Sequence, residues 1–425
     1  MPSVLYLPLL LLLAAAAATA AAAAGDPSAH EALFDAWCAE HGKAYATPEE
    51  RAARLAVFAD NAAFVAAHNA RANNAVGGGA SASASPSYTL ALNAFADLTH
   101  DEFRAARLGR LAVGREGATL RSAGVPVYGG LDGGVAAAPD ALDWRKSGSV
   151  TKVKDQGSCG ACWSFSATGA MEGINKIKTG SLVSLSEQEL IDCDRSYNSG
   201  CGGGLMDYAY KFVVKNGGID TEEDYPYRGA DGTCNKNKLK RRVVTIDGYS
   251  DVPSNKENLL LQAVAQQPVS VGICGSARAF QLYSQGIFDG PCPTSLDHAV
   301  LIVGYGSEGG KDYWIVKNSW GESWGMKGYM HMHRNTGDSS GICGINMMPS
   351  FPTKTSPNPP PSPGPGPTKC SLLTYCPEGS TCCCSWRVLG LCLSWSCCGL
   401  DNAVCCKGQW QLFWYRRNQE AAIFL

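Results

Sequence analysis

The chain opens on an almost uninterrupted apolar run, Leu5 to Ala24, which is leucine-rich in its first half and alanine-rich in its second. A short apolar run that ends in small residues is typical of a secretory signal peptide, with cleavage expected near Ala24. An N-terminal membrane anchor is the alternative interpretation. No later segment approaches the roughly 18 uninterrupted apolar residues of a membrane helix, so we expect a soluble mature protein without stable membrane insertion.

Helical periodicity dominates the segment from Glu31 to Asn74, where alanine-rich apolar positions alternate with charges. Thr47-Pro48-Glu49-Glu50 predicts a helix start, because proline suits the first helical position and acidic side chains favour the N-terminal turn. Taken alone, the pattern predicts an amphipathic helix with a solvated polar edge. One stripe of that helix consists of residues spaced three or four apart, namely Glu50, Arg54, Phe58, Asn61, Val65 and Asn69.

Two periodicities divide residues 138–354. The first half favours helices at Cys162–Thr179 and Gly204–Asn216. The second half contains short runs of β-branched and aromatic residues, which are typical of strands. The predicted strands are Val269–Ile273, His298–Tyr305, Asp312–Asn318 and Gly328–Arg334. A helical half followed by a β half predicts an α+β fold in two lobes.

Composition separates a small C-terminal unit from these lobes. The segment from Thr355 to Thr368 is rich in proline and predicts an extended, semi-rigid linker. The chain has 19 cysteines, and they are concentrated beyond that linker. So many cysteines in a secretory chain predict a disulfide framework. A net charge of −2 and a pI near 6.4 give no basic surface of the kind that nucleic acid requires.

Residues 156–164, Gln-Gly-Ser-Cys-Gly-Ala-Cys-Trp-Ser, carry the strongest chemical signal. Cys162 lies at the start of a predicted helix, where unpaired backbone N–H groups and the helix dipole favour a thiolate. A cysteine nucleophile also needs an imidazole, a group that orients the imidazole, and donors for a developing oxyanion.

His298 is the best imidazole candidate among the seven histidines. It lies at the mouth of an apolar strand, 136 residues after Cys162, and Asn318 follows 20 residues later at the end of the next strand. In isolation, such a histidine is more often structural. His331 and His333 lie in an alternating strand and are expected to be exposed.

Three segments occur in the order and at the spacing of the cysteine, histidine and asparagine segments of papain-family peptidases, which they resemble: residues 156–164, 296–300 and 316–325. The helical stripe resembles the ERFNIN signature of the family's propeptides, with Val65 in place of isoleucine. Ala91 to Asp97 resembles the G-x-N-x-F-x-D motif, with Ala91 in place of glycine. Ala138 to Trp144 resembles the N-terminus of the mature enzymes.

The resemblance implies a papain-like fold with a helical propeptide and the activity of a cysteine endopeptidase that forms a thioester acyl-enzyme. Cys162 would be the thiolate nucleophile, paired with protonated His298. Asn318 would fix the imidazole tautomer, shielded by Trp320. Gln156 and the Cys162 backbone N–H would form the oxyanion hole. No cofactor or metal is implied.

The resemblance also implies a substrate cleft and a set of disulfides. Gly203 and Gly204 would pair with the substrate backbone as an added strand. An apolar S2 pocket would favour aliphatic or aromatic residues at P2. The wall of that pocket would comprise Leu205, Met206, Gly272, Leu296 and Met348, with Asp297 and Trp320 among the other contacts. The implied disulfides are Cys159–Cys201, Cys193–Cys234 and Cys292–Cys343, which leave Cys38, Cys162 and Cys274 unpaired.

Beyond the linker, the cysteines from Cys370 to Cys406 resemble the first part of a plant-type granulin domain. The predicted organisation is therefore a signal peptide (1–24), an inhibitory propeptide (25–137), a catalytic domain (138–354), a linker (355–369), a partial granulin-like domain (370–406) and an atypical tail (407–425). The glycine-rich stretch from Gly109 to Ala137 is expected to be an exposed cleavage region.

Three alternatives remain at this point. Cys159 and Cys162 also form a C-x-x-C pair, so a thiol–disulfide oxidoreductase is a rival class, although no thioredoxin-like βαβ context surrounds them. An inactive family member that acts as an inhibitor is a second rival, and an independent binding role of the granulin-like module is a third. The expected partners are protein and peptide substrates, the protein's own propeptide and cystatin-like inhibitors. A monomer in a vacuole, a lysosome-like compartment or the extracellular space is expected.

Overall fold

The computed structural model describes residues 27–76, 87–109, 111, 138–358, 368–376, 380–388 and 391–398. The predicted signal peptide, the C-terminal tail and most of the predicted cleavage region lie outside the described residues. None of the helices in the described ranges combines the length and the apolar character needed to cross a bilayer.

The N-terminal part forms three helices and one short strand, α1 (Pro27–His41), α2 (Pro48–Val76), β1 (Tyr88–Leu90) and α3 (His100–Arg107). From Phe58 onward the predicted stripe of α2 faces inward, with Phe58 fully buried, whereas Glu50 is exposed. Its two asparagines bond to backbone carbonyls. The Asn61 side chain donates to the carbonyls of Ala96 and Leu98, at 2.9 and 3.0 Å, and that of Asn69 donates to Leu90 at 2.9 Å. The prediction of a solvated polar edge is therefore wrong for these residues.

The first lobe contains α4 (Cys162–Thr179), α5 (Glu187–Cys193) and α6 (Met206–Asn216). Helix α4 has the predicted bounds and ends at Gly180, whose φ of 77° forms a left-handed C-cap. Helix α6 begins two residues later than predicted, because Leu205 is extended and its N–H donates to the Asn198 side chain at 2.8 Å.

The second lobe is built mainly of β strands. Its elements are β2 (Leu142–Asp143), β3 (Gly248–Asp251), α7 (Glu257–Val264), β4 (Val269–Ile273), α8 (Arg278–Gln281), β5 (Tyr283–Phe288), β6 (His298–Glu308), β7 (Lys311–Lys317), β8 (Tyr329–His333) and β9 (Pro349–Thr353). Single 3₁₀ turns lie at Gly200–Gly202, Lys238–Lys240 and Ile342–Gly344.

The strands form an almost entirely antiparallel sheet in the order β1-β5-β8-β7-β6-β4-β9-β3, with β2 added to β6. Strand β1 of the N-terminal part pairs with β5 and thereby joins that part to the lobe.

The N-terminal part shares a hydrophobic core with the β lobe. Phe95 and Phe103 pack edge-on against Trp320, at centroid distances of 6.4 and 5.1 Å. Both phenylalanines are buried together with Phe58 and the interior of the sheet in one continuous cluster. Because burying a large apolar side chain contributes roughly 1.5–3 kcal/mol, this shared core is a substantial part of what holds the N-terminal part in place. A second cluster surrounds α4.

Disulfides connect loops in both lobes. The structure contains the bonds Cys159–Cys201, Cys193–Cys234 and Cys292–Cys343. Cys274 is buried as a free thiol, and its backbone N–H donates to the Cys343 carbonyl at 2.8 Å. In the chain-entropy model, each loop of this length contributes about 4 kcal/mol.

The C-terminal module is a pair of hairpins, β10 (Thr368–Lys369) with β11 (Tyr375–Cys376) and β12 (Thr381–Val388) with β13 (Leu391–Cys398). The sulfurs of Cys370, Cys376 and Cys382 lie within 4.8 Å of one another. They belong to disulfides rather than to a set of free thiolates. The described bonds are Cys370–Cys382, Cys376–Cys397 and Cys384–Cys392.

The start of the predicted linker is anchored to the two lobes. The Asn358 side chain donates to the Asn175 side chain at 2.8 Å and accepts from the buried Lys354 ammonium at 2.8 Å. It also accepts from the Thr245 backbone N–H at 3.2 Å. The packed domain therefore extends at least to Asn358, beyond the boundary predicted at Lys354.

A chain that ends at Lys354 should unfold at a lower temperature than one that ends at Asn358. The shorter chain loses the Asn358 bonds and leaves the buried Lys354 ammonium with fewer acceptors, which should cost about 1–2 kcal/mol. For a domain of this size that corresponds to a Tm lower by roughly 2–8 °C. Differential scanning calorimetry on the two chains measures the difference, and equal Tm values would contradict the anchoring role of Asn358.

Candidate active site

Cys162 occupies the first position of α4, and its side chain is fully buried. The N-cap residue Ala161 offers no side-chain hydrogen bond, so the first backbone N–H groups of the helix point toward the sulfur without competition from a polar cap. The sulfur accepts from the backbone N–H groups of Trp163, Ala299 and Gly109. Two of these donors come from outside the helix and bring other parts of the chain to the thiol.

Cys159 is bonded to Cys201 with an S–S distance of 2.01 Å, whereas Cys162 is a free thiol. The Gly160 N–H donates to the Cys201 carbonyl at 3.0 Å and fixes the turn between the two cysteines. A redox C-x-x-C needs its two thiols to pair with each other, and this pairing removes that possibility.

His298 opens β6, next to Ala299, and is fully buried. Its Nε2 lies 2.8 Å from the Asn318 Oδ1 at the end of β7, the neighbouring strand. The ring stacks on Trp320 at 4.6 Å and 23°. Since Nε2 faces an acceptor oxygen, it carries the proton, and Nδ1 is left without a hydrogen-bond partner among the described residues.

Gln156 is fully buried between the lobes. Its Oε1 accepts from the Ser319 hydroxyl at 2.7 Å, which orients the amide so that Nε2 points into the cleft. There Nε2 donates to the carbonyls of Cys159, at 3.0 Å, and of Arg107, at 3.1 Å. The Arg107 carbonyl belongs to the N-terminal part, so a segment outside the two lobes is bonded to the Gln156 amide.

We call residues 107–109 and 111 the cover segment. A Cβ built on Gly109 would lie 2.9 Å from the Cys162 Sγ and 2.9 Å from the Gly160 carbonyl, so only glycine fits at this point. Leu108 lies against Gly275, beside His298, and Leu111 lies against Gly272. The prediction that the stretch beginning at Gly109 is exposed is wrong for Gly109 and Leu111, which are buried in the cleft.

Burial under the cover segment favours the uncharged forms of the Cys162 thiol and the His298 imidazole. Desolvation raises the pKa of the Cys162 thiol to about 11, against partial compensation by the three backbone N–H donors. Desolvation also lowers the pKa of His298 to about 4, although the Asn318 bond favours the charged ring. Protonation of His298 therefore requires exposure, so docking of the cover segment weakens as the pH falls from the ordinary imidazole value near 6.5 toward 4.

Leu111 lies beside three of the predicted S2 residues. A Cβ on Gly272 would lie 3.2 Å from Leu111 Cδ1, 3.2 Å from Leu296 Cδ1 and 2.9 Å from Met348 Cε. The other two, Leu205 and Met206, belong to the same buried cluster as Leu111. A leucine of the cover segment thus packs among apolar side chains at Gly272.

Glycine is required at two of the other predicted cleft positions. A Cβ on Gly204 would approach the Asn198 Oδ1 to 2.4 Å, and Gly203 has a φ of 114°, so both positions require glycine. The Asp297 carboxylate accepts from the Gly275 N–H at 2.7 Å. Burial raises the pKa of that carboxyl group, and the Gly275 bond opposes the rise.

Three residues that contact Gln156 were not predicted from the sequence. The Ser319 hydroxyl donates to the Gln156 side chain, and the Tyr227 hydroxyl donates to the Gln156 backbone carbonyl at 2.6 Å. The Arg107 carbonyl accepts from the Gln156 side-chain amide. Ser319 is adjacent to Asn318 and is reachable by inspection of that motif, whereas Tyr227 lies 71 residues from Gln156. The expectation that His331 is exposed is wrong, because it is half-buried and stacks on Tyr313 at 4.0 Å.

A buried cluster of four charges lies behind the site. The Lys154 ammonium donates to both Glu187 oxygens, at 2.8 and 2.9 Å, and lies 3.5 Å from Glu172. The Lys317 ammonium, one residue before Asn318, donates to Thr151, whose hydroxyl donates to Glu172 at 2.6 Å. The cluster joins α4 and α5 to β7, so it ties the helix of Cys162 to the strand that ends at Asn318.

Comparison with known proteins finds two family models in this chain. Residues 138–353 match the papain family cysteine protease model, and residues 34–103 match the cathepsin propeptide inhibitor domain. Among curated proteins, the probable cysteine protease RD21C of Arabidopsis thaliana is 51% identical over 88% of this chain and 79% of its own length. The oryzain beta chain of Oryza sativa subsp. japonica is 48% identical over 88% of this chain and 80% of its own length.

Solved structures of precursors also match. The proform of the ragweed pollen allergen Amb a 11, a cysteine protease, is 39% identical with a TM-score of 0.67, over 78% of this chain and 97% of that chain. The recombinant stem bromelain precursor is 39% identical with a TM-score of 0.68, over 78% of this chain and 100% of that chain.

Proposed function

Because the chain belongs to the papain family of cysteine proteases and is made as a proform with that family's inhibitor domain, we propose that it is an endopeptidase with Cys162 as its nucleophile. The observation that carries the proposal is the convergence of a free thiol at a helix start, an imidazole held by an asparagine, and a buried glutamine amide already bonded to a peptide carbonyl.

In the proposed reaction, the Cys162 thiolate attacks the carbonyl carbon of the scissile peptide bond. The carbonyl oxygen becomes an oxyanion that accepts from Gln156 Nε2 and the Cys162 backbone N–H. His298, oriented by Asn318 and covered by Trp320, gives its proton to the leaving amine, and a thioester remains on Cys162. Water activated by His298 then hydrolyses the thioester and restores the thiol.

Two features of the cover segment support self-inhibition: it fills the substrate cleft, and it runs through the cleft in the opposite direction to a substrate. From Arg107 to Leu111 the chain passes Gln156 and His298 before it reaches the S2 residues. A substrate runs from its P2 side toward its leaving group, so the cover segment crosses the site in the opposite sense. Its carbonyl at Arg107 accepts from Gln156, while its direction is opposite to that of a productive substrate.

We propose a preference for apolar P2 residues on the same contacts. The three atoms nearest to a Cβ on Gly272 are hydrocarbon or thioether groups, from Leu111, Leu296 and Met348. An arginine placed there would lose its hydration without an acidic partner, which costs several kcal/mol.

The assignments outside the cleft also remain proposals. Secretory delivery to a vacuole or lysosome-like compartment or to the exterior fits the leader-like N-terminus, and cystatin-like inhibitors and a monomeric state fit the family. The granulin-like module is proposed to be dispensable for catalysis, because Cys162, His298, Asn318 and Gln156 all precede the linker. An inactive inhibitor-like role is disfavoured by the presence of all four side chains.

Replacement of either member of the proposed catalytic pair should abolish peptide hydrolysis. In the processed enzyme, Cys162→Ser and His298→Ala should each lower kcat/KM by several orders of magnitude, because thiolate formation and proton transfer are both lost. His333→Ala is the matched control for the histidine variant, since it removes an imidazole from β8, outside the site. Substantial peptidase activity of purified Cys162→Ser, measured on a fluorogenic peptide, would refute the assignment.

Peptides with Leu, Val or Phe at P2 should be cleaved far better than peptides with Arg at P2. Gly272→Ala should make the S2 pocket smaller, because the added methyl group would crowd Met348. It should therefore lower kcat/KM for Phe at P2 more than for Val at P2. A matched series of fluorogenic peptides that differ only at P2 measures both effects. Comparable kcat/KM values for Arg and Leu at P2 would mean that the S2 assignment is wrong.

A further inference from the structure

Tyr227 reaches Gln156 from a distant loop of the α lobe. Its hydroxyl donates to the Gln156 backbone carbonyl at 2.6 Å, a short hydrogen bond between two groups removed from bulk water. Burial raises the pKa of Tyr227, which favours the protonated hydroxyl as a donor at neutral pH.

The carbonyl that accepts this bond lies at a conformationally permissive point of the chain. The next residue, Gly157, has a φ of 59°, a left-handed conformation that glycine enters and leaves at little cost. The turn's own bond to that carbonyl, from the Cys159 N–H, is long at 3.4 Å. Tyr227 therefore supplies the short bond that holds the peptide plane between Gln156 and Gly157.

Two other polar groups of Gln156, its backbone N–H and its side-chain Oε1, are held from the β lobe. Its backbone N–H donates to the Ser319 carbonyl at 2.9 Å, and its side-chain Oε1 accepts from the Ser319 hydroxyl. The Tyr227 hydroxyl bonds to Gln156 from the α lobe, on the other side from the two Ser319 bonds. With it in place, the backbone from which the Gln156 amide projects is fixed on both sides.

We propose that Tyr227 is a positioning residue for the oxyanion donor: its hydroxyl fixes the Gln156 backbone so that Nε2 points at the carbonyl oxygen that becomes negative during acylation. This inference rests on the proposed peptidase function. Tyr227 contacts neither the substrate nor Cys162, and it acts only through Gln156.

The aromatic ring of Tyr227 is itself well anchored. It packs edge-on against Phe165 of α4 at 4.9 Å and 76°, and its backbone N–H donates to the Glu222 carboxylate at 2.9 Å. Removing the hydroxyl alone therefore leaves the ring in place. Tyr225, two residues earlier, offers a matched comparison, because its hydroxyl donates to the Asp192 carboxylate at 2.8 Å and not to Gln156.

The test compares Tyr227→Phe with Tyr225→Phe in the processed enzyme by two readouts. The first is kcat/KM for a peptide amide, a reaction that passes through an oxyanion. The second is the rate of Cys162 alkylation by iodoacetamide, a displacement that forms no oxyanion. Tyr227→Phe should lower kcat/KM by about three- to tenfold, less than the 10²–10³ that loss of a whole oxyanion donor costs, and should leave alkylation unchanged. Tyr225→Phe should change neither rate.

A double-mutant cycle with Gln156→Ala completes the test. Once the donor amide is gone, Tyr227→Phe should cause no further loss of kcat/KM. An unchanged kcat/KM in Tyr227→Phe, an equal loss of the alkylation rate, or an additive loss in the Gln156→Ala background would each overturn the proposal. A wild-type enzyme that alkylates at Cys162 but cleaves no peptide would instead refute the peptidase function itself.

Discussion

Exclusion of water from Cys162 and His298 by the cover segment is the constraint on which the precursor structure depends. Both groups are fully buried, and burial moves their pKa values in opposite directions, upward for the thiol and downward for the imidazole. An ion pair at the site is therefore disfavoured while Gly109 lies against the sulfur. The same residues that block the cleft sterically also remove the charge that the proposed chemistry needs.

The fold holds this cover through contacts that lie far from the cleft. Phe95 and Phe103 share the core of the β lobe, and β1 extends its sheet. Reciprocal bonds join Asn93 and Gln281 to the opposite backbone, at 2.8 Å to the Gln281 carbonyl and 3.0 Å to the Phe95 carbonyl. Ion pairs also cross this interface, between Arg107 and Asp155 at 2.6 Å and between Arg278 and Asp60 at 2.5 Å. The buried imidazole adds a dependence with a definite sign, since acid favours the uncovered state.

Much of the fold was predictable because the local periodicity of apolar residues indicates its helices and strands. The bounds of Cys162–Thr179 and Val269–Ile273 follow from helical and strand patterns, and the two-lobed α+β class follows from their order. Contacts between distant segments were not predictable from pattern. Nothing near Tyr227 indicates that it meets Gln156, and the glycine-rich stretch after Arg107 gave no sign that Gly109 and Leu111 fill the cleft. The inward role of Asn61 and Asn69 was equally hidden, because amphipathic periodicity does not distinguish a solvated amide from one that bonds to another segment's backbone.

The most direct test is the pH dependence of Cys162 alkylation by iodoacetamide in the intact precursor and in the processed enzyme, with chain length checked after each reaction. The account predicts that the precursor reacts slowly at neutral pH, gains reactivity in alkali toward the thiol pKa of about 11, and gains it in acid only as the cover segment is released, whereas the processed enzyme reacts rapidly at neutral pH. Equal rates for the two forms at neutral pH would contradict it, because the thiol would then be as ionised and as accessible beneath the cover segment as it is without it.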